Sequence, residues 1–162
     1  MIRPYVVALN SVPRLALVPL FILWFGLGLT SKIAFVGMIV FFLVFYNTYA
    51  GVQDVDEQLV DVLRIIGASR VHIHWRVTLP SAMTWIIAGL GISVPYALVA
   101  AVTAEIVSSN SGVGFMLNQA AGQFDTAGVF ASIVVLVVMG LLLTGLVALL
   151  ERRLLAWKET TR

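Results

Sequence analysis

Long apolar runs, interrupted by a single patterned polar stretch, set the plan of this chain. Residues 12–29, 33–49, 83–107 and 127–150 are almost wholly apolar. A helix needs about 20 residues to cross roughly 30 Å of hydrocarbon, so the last two runs are comfortable spans and the first two are short. Within the first run Pro13, Arg14 and Pro19 break the pattern. Proline removes a helical hydrogen bond and kinks the axis, so part of this run is expected at the interface before it turns inward. Gly26, Gly28, Thr30 and Ser31 then read as a tight turn. The runs together predict an all-α fold: a polytopic transmembrane helix bundle forming one domain over 1–162.

The polar stretch, residues 50–80, is patterned as a structured element. Asp54 followed by Glu57 resembles a capping box, which puts carboxylates at a helix start where the dipole favours them. Leu59, Val62, Leu63 and Ile66 then fall on one face, with Gln58, Asp61 and Arg64 on the others. Gly67 is expected to end that helix, Ser69 to cap a second, and Pro80 to keep the second from running into the next span. The prediction is a helical hairpin, a compact lever joined directly to a long membrane helix.

Composition supports the membrane reading and removes other classes. The chain is 60% hydrophobic, with a mean hydropathy of +1.02. Without cysteine there is no thiol chemistry, and His72 and His74 are too few for a catalytic metal, so neither an enzyme centre, a metal nor a cofactor is expected. The opening MIRPYVVALN lacks the apolar core and cleavage site of a secretory signal. Although the net charge is +2, the basic residues flank the runs; they report sidedness rather than nucleic-acid binding. Arg64, Arg70 and Arg76 lie between the second and third runs and Arg152, Arg153, Lys158 and Arg162 follow the fourth, whereas the 108–126 loop has no Lys or Arg. Both basic regions are therefore expected in the cytoplasm. With four crossings the N-terminus, carrying Arg3 and Arg14, is expected there too, leaving Lys32 outside. Trp157 is a candidate interfacial anchor, and anionic membrane lipid a partner for Arg70 and Arg76. A helix, a glycine and a second helix also describe a DNA-binding helix-turn-helix, but here the pair is tethered between membrane runs.

Polar groups on the apolar runs are candidates for a solute pathway: Asn47, Ser93, Tyr96, Thr103 and Glu105. Hydroxyls and amides of this kind also serve simply to hydrogen-bond helices. Glu105 has two readings. A carboxylate at membrane depth marks a pathway, and one at the interface hydrates or caps the SSNSGVG loop. Gly112 and Gly114 suit a tight turn, and Gly140 and Gly145 suit close helix packing.

The run DVLRIIGASRVHIHWRVTLP, Asp61 to Pro80, resembles the signature loop of binding-protein-dependent ABC transporter permeases: Glu-Ala-Ala, a glycine, then Ile/Val-x-Leu-Pro. Gly67, Leu79 and Pro80 match in spacing; Asp61 stands for the glutamate, and Val62 and Leu63 for the alanines. LNSVPRLALVPLFILWFGLGLTSKI, FFLVFYNTYAGVQDVD, AEIVSSNSGVGFML, QFDTAGVFASIVVL and LLERRLLAW are similar to the branch importing nitrate, taurine and alkanesulfonates. The resemblance implies cytoplasmic ATPase subunits, a periplasmic solute-binding protein, a second permease copy forming a homodimer, and residence in the bacterial inner membrane with both termini cytoplasmic. It assigns ATPase coupling to Asp61, Arg64, Gly67, Ala68, Ser69, Leu79 and Pro80, and solute import by ATP-driven alternating access. Family permeases are usually longer, so the chain reads as lacking two N-terminal spans. A secondary transporter or channel-like bundle using Glu105, and a remnant that docks the ATPase without transporting, stand as alternatives.

Overall fold

The computed structural model describes residues 14–55 and 57–154, with side chains omitted at 57–59 and 154. Arg3, Trp157, Lys158 and Arg162 lie outside the described residues. All regular structure among the described residues is helical. A 3-10 turn, Arg14–Leu17, leads into α1 (Val18–Phe25), followed by α2 (Leu29–Gln53), α3 (Glu57–Ile65) and α4 (Arg70–Ile73). A π turn, His74–Thr78, joins α4 to α5 (Leu79–Ser108), and α6 (Val113–Gly122) and α7 (Thr126–Leu154) complete the order.

Three helical runs are long and apolar enough to cross a membrane: Leu29–Gln53, Arg70–Ser108 and Thr126–Arg153. Leu29–Gln53 is longer than the apolar run 33–49 because Leu29 to Lys32 and Ala50 to Gln53 join the helix; Ser31 Oγ donates to Gly28 O at 3.0 Å, tying the first turn to the preceding loop. The first run fares differently. Its described part holds four residues of 3-10 turn and eight of α-helix, about 20 Å of rise and less than a crossing needs. Gly26 stops it: its N–H bonds Ile22 O at 2.8 Å while its φ of +78° turns the chain out of the helix. Residues 12 and 13 of that run lie outside the described residues.

Pro80 does not end the second hairpin helix. Helical structure continues from Arg70 to Ser108, and the π turn is the accommodation. A proline ring collides with the carbonyl four residues back; widening the preceding turn relieves that collision. Leu79 N–H then reaches back five residues to His74 O.

The chain divides into two compact units. One comprises the described residues up to Ile39 with Tyr96–Gly140; the other comprises Val40–Pro95 with the described residues from Leu141. In the first, Phe35 is fully buried, meeting Phe21 edge-on at 5.6 Å. Ala100, Ala104 and Ala120 of the same unit are buried too, small residues that let helices approach closely. Gly140 also serves packing, since a Cβ there would come within 3.3 Å of Leu98. In the second unit Gly51 lies beneath Trp85, whose side chain a Cβ would strike. Gly89 faces Asn47 and the Val44 backbone, at 2.9 and 3.3 Å from an added Cβ. Gly145, expected to pack closely, meets no atom within 4 Å.

Candidate functional site

The hairpin is built by a glycine stop and a serine start. Gly67 holds φ +85°, and two hydrogen bonds close α3 behind it: Gly67 N–H to Arg64 O at 3.0 Å and Ala68 N–H to Leu63 O at 2.9 Å. That pair of bonds is a Schellman motif, which satisfies carbonyls a helix end would leave bare. Two residues on, Ser69 Oγ accepts from His72 N–H at 3.2 Å and caps α4. Asp61 and Arg64 pair at 3.0 Å on the exposed side of α3; so exposed a pair contributes little stability. The Asp54 and Glu57 capping box cannot be placed, because Asp56 and the side chains of 57–59 lie outside the described residues, and Leu59 of the apolar stripe lies there too.

Several apolar side chains of the hairpin point outward, while Ile73 is buried. Ile65 is 83% and Ile66 71% exposed, and Val62, Val71 and Trp75 are exposed as well. Leu63, Ile66, Gly67, Ala68, Ser69 and His72 line a shallow groove of about 430 Å³ at the glycine turn. These exposed apolar residues sit on a hairpin closed at Gly67 and capped at Ser69. Leu79 and Pro80 open α5, which continues without a break from α4 on the far side of the glycine turn.

A second organised region lies at the turn between α5 and α6. Glu105 Oε2 accepts the Gly114 N–H at 2.8 Å, placing a carboxylate at the positive end of α6. Gly112, at φ +111°, and Gly114 make this approach possible. A Cβ at Gly112 would land on the Glu105 carboxyl, and one at Gly114 would come within 2.6 Å of Val102 O. Lys32 Nζ donates to Ser109 Oγ at 2.6 Å, and Ser109 Oγ in turn accepts the Ser111 N–H at 3.2 Å.

The other candidate pathway residues are largely engaged with their own helices. Asn47 Nδ2 donates to Leu43 O at 2.8 Å, Ser93 Oγ to Leu90 O at 2.7 Å and Thr103 Oγ1 to Val99 O at 2.8 Å. Tyr96, 54% exposed, makes no hydrogen bond within the described residues. Asn47 and Ser93 belong to one compact unit, Tyr96, Thr103 and Glu105 to the other. Glu151 went unread in the sequence, masked by its neighbours Arg152 and Arg153; its carboxylate lies 3.8 Å from where a Gly91 Cβ would be. The Lys32 to Ser109 bond was equally hidden, as nothing in a sequence pairs residues so far apart.

Residues 1–156 match the family described as the inner membrane component of binding-protein-dependent transport systems. The chain is 40% identical, over 97% of its length, to a putative aliphatic sulfonates transport permease protein of Bacillus subtilis, covering 57% of that protein. It is 34% identical over 98% of its length to a formylaminopyrimidine transport permease protein of Halalkalibacterium halodurans, covering 63% of it. It is 37% identical over 95% of its length to a taurine transport system permease protein of Escherichia coli, covering 56% of it. The chain thus spans about three-fifths of the length of these relatives.

Proposed function

Because the chain belongs to the inner membrane components of binding-protein-dependent transport systems, we propose that it serves as a permease part of an ABC importer that moves a small solute across the bacterial inner membrane. Nitrate, a sulfonate or taurine is the class of cargo; the names of the sulfonate and taurine permease relatives support this choice. ATP hydrolysis belongs to separate cytoplasmic ATPase subunits, a periplasmic binding protein delivers the solute, and a second permease copy completes the pathway. The single domain 1–162 supplies spans near 33–49, 83–107 and 127–150, with 12–29 as a further membrane segment and 50–80 as the coupling loop. Lys and Arg counts put that loop, and the end of α7 with Arg152 and Arg153, in the cytoplasm.

The observation that carries this reading is the exposed apolar surface around Gly67. Ile65 and Ile66 stand in solvent on a helix whose end is locked by two backbone hydrogen bonds. An ATPase groove that covers these residues removes them from water and grips a hairpin whose second helix continues into α5. ATP binding draws the gripped hairpins together, and the spans switch from inward-facing to outward-facing. A ligand shifts such an equilibrium only through different affinities for the two states; ATP and the loaded binding protein supply that difference. Asp61, Arg64, Ala68, Ser69, Leu79 and Pro80 frame the contact. Of the pathway candidates, Tyr96 has a polar group left for passing solute, whereas Glu105 acts at the α6 terminus. The test is co-purification of this protein with an ATPase subunit, followed by solute-stimulated ATP hydrolysis in vesicles holding all the subunits. Uptake driven by an ion gradient without ATP overturns the reading.

A further inference from the structure

Lys32 stands in the first turn of α2, where a cation opposes the helix dipole. Its ammonium is paired with no carboxylate among the described residues. Instead it lines an opening of about 600 Å³ between the start of α2 and the turn after α5, a volume in the range of small-molecule sites. The walls are of two kinds. Asn110, Ser111 and Asn118 bring amide and hydroxyl groups, and Leu29 and Phe115 bring hydrocarbon. Glu105, next in sequence to the lining residue Ile106, does not line the opening; its carboxylate accepts the Gly114 N–H. Lys32 has three donors and uses one on Ser109.

We propose that this opening binds a small organic oxyanion, its charged head on Lys32 with the Asn110 and Asn118 amides, its short tail against Leu29 and Phe115. An uncompensated, half-buried ammonium attracts an anion strongly because few solvent molecules screen it. The mixed walls select a head and a tail together: an inorganic anion leaves the apolar wall wet, and a neutral molecule leaves the ammonium without a counter-charge. The role as a solute subsite rests on the importer reading; binding itself does not.

The experiment uses the full chain in phosphatidylcholine nanodiscs at low salt, with butanesulfonate as probe in calorimetric titration. Butanesulfonate is expected to bind more tightly than methanesulfonate, and butylammonium not at all. Lys32→Ala and Lys32→Gln are expected to lower butanesulfonate affinity at least tenfold, and Lys32→Arg to retain it within a few fold. Butanesulfonate is also expected to slow acetylation of Lys32 by an amine-directed reagent, as followed by mass spectrometry. Four outcomes overturn the proposal: no binding by the parent protein, equal binding by Lys32→Gln, equal binding of butylammonium, or acetylation unaffected by the sulfonate. If phosphatidylglycerol in the disc abolishes sulfonate binding while itself protecting Lys32, the site belongs to a lipid head group, which also overturns it. None of these measurements involves an ATPase, so their failure leaves the permease reading standing, and failure to co-purify an ATPase leaves this binding intact.

Discussion

Two glycines in this protein hold similar backbone angles for opposite reasons. Gly67, at φ +85°, is surrounded by open space, and Gly112, at φ +111°, is pressed against the Glu105 carboxyl. Around Gly67 the chain has closed its own hydrogen bonds and turned apolar side chains outward; around Gly112 and Gly114 it has packed backbone, carboxylate and helix end into a joint with no room to spare. The first region is finished internally and lacks a partner, and the second is finished outright. A left-handed glycine therefore does not by itself mark function. The space around it is what differs: open at Gly67, filled at Gly112.

Substitutions at the two sites should separate accordingly. The largest effect is expected at Gly114→Val, whose Cβ meets the Val102 carbonyl, backbone that cannot retreat. Overpacking of this kind costs about 3 kcal/mol, read as a lower thermal midpoint in detergent; parental stability would dissolve the contrast between the regions. Gly67→Trp comes next, with uptake by the assembled transporter expected to fall about tenfold, equivalent to roughly 1.4 kcal/mol. Its membrane insertion should stay normal, since the φ strain alone costs about 1 kcal/mol. Normal uptake by this variant would show that the open space at Gly67 is merely open. Ser69→Ala removes the α4 cap, worth about 1 kcal/mol, and faster hydrogen exchange at the His72 amide should report it locally while the 105–114 turn stays unchanged. The smallest effect belongs to Phe124, the one non-glycine position with positive φ among the described residues, at φ +55° and 93% exposed. Phe124→Gly relieves strain but loosens the unfolded chain, so a gain of about 0.5 kcal/mol is expected as a slightly higher thermal midpoint.

The long helices were legible because apolar length is a direct demand of the bilayer, and the runs around 33–49, 83–107 and 127–150 each sit inside a helix. The hairpin turn was legible because Gly67 and Ser69 carry their conformational roles in their identity. Three features were not. The shortness of α1 depends on where Gly26 turns the chain, and apolar residues on both sides of that point look alike. Helix continuity through Pro80 depends on a widened turn, which no residue type announces. Phe124 ends α6 in the conformation expected of glycine, held by Asp125 N–H to Ala120 O at 2.9 Å and by Asp125 Oδ1 accepting the Gly128 N–H at 3.0 Å. There local turn and capping hydrogen bonds outweigh the conformational preference of the residue.

The widened turn at His74–Thr78 also fixes an azimuth. Each residue added to or removed from a helical rod rotates everything beyond it by about 100°, and this turn holds one residue more than its neighbours. Deleting that residue would swing the face bearing Ile65, Ile66 and Trp75 around the axis of α5 while leaving the buried stripe of the span in register. Orientation of the hairpin is thus adjustable separately from the helix that follows it, by editing a single position.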